Sequence, residues 1–200
     1  MRPRFLSWAL CLVMTGASAW AADEGTKLLR FPDIWQDQVV FCHGGDLWLA
    51  PAAGGTARRL TAHPGQEVFP RFSPDGRWIA YQSNASGKSE VYLTTFPEPG
   101  GTWQVSQAGG AQPMWRRDGA ALYFRSFDGK LMEASVEERG PAVVVGTPRE
   151  LFQAQLGGFP QAARVFAVPP TGDRFLVMRS QENGPSALTL VTNWTAGLRR

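Results

Sequence analysis

Two histidines, His43 and His63, are the sole imidazoles in the chain, so proton transfer near neutral pH has to begin from one of them. His43 lies beside Gly44-Gly45 in a turn, and His63 opens the connection His63-Pro64-Gly65 between two apolar segments. Ser73 and Asp75 supply a hydroxyl and a carboxylate. With His63 they would make the nucleophile, base and orienting acid of a small hydrolase, provided that all three meet at one rim of the fold. The stretch Ser73-Pro74-Asp75-Gly76 is also fully explained as a turn, because Pro74 presets φ and Gly76 accepts φ > 0. No HExxH, paired CxxC or P-loop spacing occurs, which leaves zinc hydrolysis and nucleotide chemistry without support. Asp75, Asp118 and Asp128 belong to separate turns and do not compose a calcium loop. No catalytic, cofactor-binding or metal-binding residue is assigned on these grounds, and no cofactor is expected. Arg58, Arg59, Arg116 and Arg117 offer a basic rim for an acidic peptide. Solvated strand-end residues are the preferred reading of all four.

The elements that would carry these residues repeat. Phe69 to Gln82 reads FPRFSPDGRWIAYQ, and a degraded copy follows at Gln112 to Phe124, QPMWRRDGAALYF. Pro70, Phe72, Asp75, Gly76 and Tyr81 recur as Pro113, Trp115, Asp118, Gly119 and Phe124, at a fixed offset of 43 residues. A period of about 40 to 45 residues is that of a propeller blade or a solenoid unit. Short aromatic and β-branched runs between turn residues make an all-β pattern, and no long helical periodicity appears outside the first residues.

Four units are expected, at about 28–66, 67–110, 111–160 and 161–200. The first offers LLRF, VVFC, DLWLA and ARRLT, with a hairpin at His43-Gly44-Gly45 and a turn at Gly54-Gly55. The second offers VFPRF, RWIAYQ, EVYLTTF and TWQVS. The third has QPMW, ALYFRS, KLMEASV and then AVVVG or ELFQA. The fourth has RVFAV, RFLVMR and SALTLVTNW, with Gly172 at the place of Gly76 and Gly119, extra length in Gly157 to Ala163, and no visible fourth strand. Strands such as WIAY and LYF are apolar on both faces, as stacked blades require and a sheet with one wet side does not. The fold class is therefore an all-β propeller of about four four-stranded blades, favoured as a partial or open ring. Trp35, Trp48, Trp78, Trp103, Trp115 and Trp194 are read as packing residues rather than as a ligand-stacking platform.

Residues 1–21 read as a signal peptide: Arg2 and Arg4, an apolar stretch Phe5 to Val13 broken by Ser7, then small residues before a mature start near Ala22. That stretch is too short to span a bilayer. Removing it lowers the formal charge from +3 to +1, since two of the 20 basic residues leave and the 17 acidic ones stay. No basic stripe then argues for nucleic acid. Cys42 is the single mature cysteine, which excludes an internal disulfide, and its setting VVFC makes it a small buried hydrophobe.

The FPRFSPDGRWIAY run, with its Gly-Gly turns, resembles the WD-like propeller repeats of the TolB family. The segment LLRFPDIWQDQVVFCHGGDLWLAPAAGGTARRLT is similar to the opening blade of tricorn-type peptidases. SEVYLTTFPEPGGTWQVSQAGGAQPMWRRDG and TLVTNWTAGLRR look like the propeller domain of some bacterial serine/threonine kinases. Such relatives usually have six or seven blades, and nothing in the chain resembles their peptidase or kinase domains. With a signal peptide and no catalytic set, the chain is expected to be a periplasmic or secreted, non-enzymatic module that binds a protein or peptide on its rim or channel face. No nucleic-acid partner is expected, and the unit lacking a fourth strand leaves an open blade edge as a route to self-association. A shortened remnant, or a sensor or gating domain of a tricorn-like peptidase or propeller-bearing kinase, is the second reading; a small hydrolase is the third.

Overall fold

A computed structural model describes residues 29–98, 100–139, 142–156, 164–169, 174–178 and 188–192. The expected signal peptide, the loop Gly157 to Ala163, Gly172 and Trp194 lie outside the described residues. Among the described residues there is no helix; sixteen strands form antiparallel sheets.

The first sheet is β1 (Arg30–Trp35), β2 (Gln38–His43), β3 (Asp46–Pro51) and β4 (Arg58–Arg59), in sequence order. The second is β5 (Glu67–Phe72), β6 (Trp78–Ser83), β7 (Glu90–Thr95) and β8 (Thr102–Gln104), again in order. The third joins β9 (Ala111–Trp115), β10 (Ala121–Arg125), β11 (Lys130–Arg139), β12 (Ala142–Val145) and β13 (Arg149–Gln153). The fourth holds β14 (Phe166–Ala167), β15 (Arg174–Met178) and β16 (Leu188–Thr192).

Two expectations need correction. The first strand is not LLRF but Arg30–Trp35, because the polar Asp33 belongs inside it. Its Oδ2 accepts the Phe72 N–H at 2.9 Å and its Oδ1 pairs with Arg71 at 3.0 Å, which ties the first sheet to the second. In the third unit AVVVG and ELFQA are both strands. At ten residues β11 is long enough to pair β13 along Lys130 to Glu133 and β12 along Val136 to Arg139.

The sheets lean on one another through alternating side chains. All six residues of β6 and all five of β10 are buried. Ile79 and Tyr81 pack with Val40, Leu47 and Leu49 of the first sheet, whereas Trp78 and Ala80 pack with Leu122 and Phe124 of the third. Tyr123 turns the other way, onto Phe175 and Val177 of the fourth sheet, its ring 5.0 Å from that of Phe175. Strands of period two that bury both faces serve two neighbours at once, which is the radial stack of a β-propeller.

Candidate functional site

The inner strands β1, β5 and β9 share a backbone feature that brings side chains to one face. Phe31, Phe69 and Gln112 have φ of 55°, 56° and 55°, each followed by a proline, and ladder register breaks beside each of them. A non-glycine residue in the left-handed region costs on the order of 1 kcal/mol or more, so its neighbours have to hold it there. At Gln112 the N–H is received by Gln82 Oε1 at 3.2 Å, an acceptor lying on the second strand of the preceding sheet. Burial pushes the Cys42 thiol up to about 12, so it is a packed side chain and not a reactive thiolate. Gln112 passes the link onward, its Oε1 accepting the Val165 N–H at 3.1 Å.

The Phe31 and Phe69 rings meet with centroids 4.0 Å apart and a 35° tilt, and the Arg30 guanidinium lies 5.5 Å from the Phe31 centroid. The pair lines one cavity, and a second shares Arg30, Gln66 and Val68 with it. One, of about 110 Å³, adds Gln82, Asn84 and Ser89. The other, of about 340 Å³, runs to Cys42, the His43-Gly44-Gly45 hairpin and Glu67. The hairpin turns as its sequence demands, with φ of 61° at Gly44 and 93° at Gly45. Glu67 is fully buried; burial raises its carboxyl above the usual 4.5, Thr61 opposes this as hydrogen-bond donor, and the nearby Asp46 carboxylate adds to the rise.

The hydrolase constellation does not assemble. His63 acts on Glu67, at the start of β5, whereas Ser73 follows the last residue of that strand. A six-residue strand separates them by roughly 20 Å, so the expectation of a shared rim is overturned. The Ser73 hydroxyl, 1% exposed, donates to Asp75 Oδ1 at 2.6 Å and accepts the N–H groups of Arg77 and Trp78, as a turn residue should. The arginines likewise form no common patch. Arg59 pairs with Asp46 at 2.6 Å, Arg58 with Glu98 at 3.2 Å, and Arg116 with Asp118 at 2.8 Å, each at its own strand end, and Arg117 is exposed in the turn before β10. Among the described residues no group of three His, Cys, Asp or Glu side chains is placed to hold a metal ion.

The stack of small antiparallel sheets agrees with a family profile, that of the tricorn protease N-terminal beta propeller domain, which matches residues 26–137, more than half of the chain. The chain belongs to the tricorn N-terminal β-propeller family. Tricorn protease homolog 1 of Streptomyces coelicolor is 33% identical over 102 residues, covering 50% of this chain and 10% of that protein. Putative tricorn protease homolog 2 of the same organism is 47% identical over 74 residues, covering 36% of the chain and 6% of that protein. The Tol-Pal system protein TolB of Desulfosudis oleivorans is 26% identical over 100 residues, covering 48% and 23%. The chain therefore spans a quarter or less of the length of these relatives. Among solved structures, TolB from Acinetobacter baumannii superposes with a TM-score of 0.61 at 15% identity, over 82% of this chain and 40% of that one. An oligogalacturonate lyase in complex with manganese gives 0.58 at 19% identity, over 83% and 48%. Both likenesses are of fold alone.

Reading the sequence missed Arg30, Phe31, Asp46, Gln66, Glu67, Phe69, Gln82 and Gln112. One signal for the inner-strand kink was present, because Phe31-Pro32, Phe69-Pro70 and Gln112-Pro113 place a proline at the same point of three successive units. Nothing local in the sequence reveals a positive φ at phenylalanine.

Proposed function

We propose that this propeller is an exported, non-enzymatic module that captures an extended segment of a protein or peptide on the face bearing the Phe31–Phe69 pair. The observation that carries this reading is the junction of an aromatic pair with a cavity walled by Gln66, Gln82, Asn84 and Ser89 at the inner strands. An apolar anchor beside a few convergent polar groups is the usual composition of a recognition site, and the loops of a rigid stack are free to present it. Export is supported by Arg2, Arg4 and the apolar stretch Phe5 to Val13, which together predict a periplasmic or secreted chain beginning near Ala22.

Selection of peptides from a random library, followed by affinity measurement on Phe69→Ala, tests the reading. Binders should lose affinity at least tenfold, the scale of about 1.4 kcal/mol. Binders that compete with one another but ignore Phe69 would overturn it. The second reading, a remnant or gating piece of a larger tricorn-like protein, is favoured by the small share of those relatives that the chain matches. It predicts that no binder competes for this face.

A further inference from the structure

The second and third sheets meet through one buried acid whose needs are fully met. Glu90, the first residue of β7, receives the Ser106 hydroxyl, the Gly109 N–H at 3.0 and 3.1 Å, and the Lys88 ammonium at 3.2 Å. The first and second sheets meet at the corresponding place with two acids and fewer donors. Asp46, the first residue of β3, has Arg59 on Oδ2 and nothing on Oδ1. Glu67 has the Thr61 hydroxyl on Oε2 and nothing on Oε1. Thr61 and Ser106 are counterparts, each accepting the N–H of the residue after the acid, Leu47 or Val91.

The missing donor has a cause in the sequence. Four residues, Gln107 to Gly110, lead from Ser106 to the next inner strand at Ala111, and the third of them, Gly109, turns its N–H onto Glu90. Five residues, Ala62 to Gln66, lead from Thr61 to Glu67. Pro64 has no N–H to give, and that of Gln66 goes to Asn84 Oδ1 at 2.6 Å. Glu67 is 0% exposed and Asp46 7% exposed, so each unpaired oxygen is withdrawn from water, where a buried acceptor without a donor is destabilising. Glu67 also lines the cavity of about 340 Å³, with the unpaired His43 Nδ1 on the same wall.

From this geometry we infer that the cavity takes a primary ammonium group, whose N–H donors serve the free oxygen of Glu67 on its wall. A primary ammonium carries three donors and one positive charge, which fits a buried acid short of a donor better than a bare cation would. The inference rests on the peptide-capture reading and names its chemistry: the group is either a lysine side chain or a free N-terminus. Arg30, on the same wall, repels it and is the one like charge on the cavity lining.

The test uses the purified protein and two-dimensional amide NMR titration with three probes. These are n-butylammonium for the lysine side chain, glycine ethylamide for the chain terminus, and tetramethylammonium as a cation of equal charge without N–H. Saturable shifts at Gly45 and Glu67 with one or both amines and none with tetramethylammonium are expected; which amine binds more tightly identifies the source. Glu67→Gln should weaken binding at least tenfold, Asp75→Asn at the far end of β5 should leave it unchanged, and Arg30→Ala should tighten it. Thermal melts establish that each variant is folded, and the tetramethylammonium comparison needs no variant at all. Equal shifts with tetramethylammonium, no saturation with either amine, or unaltered affinity in Glu67→Gln would overturn the inference. Selected peptides that depend on Phe69 but not on Glu67 would sink the ammonium site and leave peptide capture standing. Amine binding without any competing peptide would do the reverse.

Discussion

At the scale of single residues, the same amino acid in the same turn carries different burdens. Gly76 and Gly119 both have left-handed φ, 69° and 75°. A Cβ at Gly76 would lie 2.2 Å from the Trp35 ring, whereas at Gly119 the nearest atom is Pro74 Cδ at 3.8 Å. Gly119→Val should therefore cost only the conformational strain of a β-branched residue, about 1–2 kcal/mol. Gly76→Ala should cost more, because Trp35 has to move and its indole hydrogen bond to the Pro74 carbonyl, 3.3 Å, is disturbed. Urea melts of the two variants check the order, and equal midpoints would contradict it. Glu67 sets a pH dependence whose sign follows from its surroundings: burial and Asp46 raise its pKa, while Thr61, His63 and Arg59 lower it by less. A folded-state pKa above the unfolded 4.5 means that the folded protein binds more protons through that window. The contribution of Glu67 to stability is thus lost as pH rises from about 4.5 through the folded pKa. Glu67→Gln should flatten this decline in thermal melts between pH 4 and 8.

At the scale of elements, β6 and β10 are the members that two neighbours share. Leu122, fully buried between the second and third sheets, should cost about 2–5 kcal/mol when cut to alanine. Leu176 is 40% exposed on the opposite side of β15 from Phe175 and Val177, and Leu176→Ala should change stability by no more than about 0.5 kcal/mol in a dilute sample. Chemical denaturation of the pair measures the contrast. Much of this was legible beforehand. WIAY and LYF were apolar on both alternating faces, and a strand of period two with no polar side has two neighbours to satisfy. The turns at His43-Gly44-Gly45, Ser73 to Gly76 and Asp118-Gly119 were equally plain, since positive φ there calls for glycine. The strand limits were not. Asp33 sits mid-strand because its partners, Arg71 and the Phe72 N–H, come from 38 and 39 residues away, and no local pattern announces a distant partner.

At the scale of the whole molecule, the first and fourth sheets each turn an apolar residue away from the stack, Ile34 at 62% and Leu176 at 40% exposure. Faces like those of the interior sheets recruit covering surface when left uncovered. We expect the purified protein to associate as its concentration rises, which sedimentation velocity across a hundredfold range would show. A single monomer-sized species throughout would count against it. Weaker association in Ile34→Lys would locate the contact on β1.

Residue type and spacing by themselves determined the all-β class, the repeat near 43 residues and the radial stacking, because these depend on hydrophobic period and turn chemistry, which are local. They also disposed of metal and nucleotide motifs by their absence. The tertiary structure decided the rest. It placed Ser73 and His63 at opposite ends of β5, folded two strands against β11, and brought Asp46 and Glu67 together with too few donors between them. Burial, distance and the loss of a hydrogen-bond partner are properties of segments meeting in space, and no single segment carries them alone.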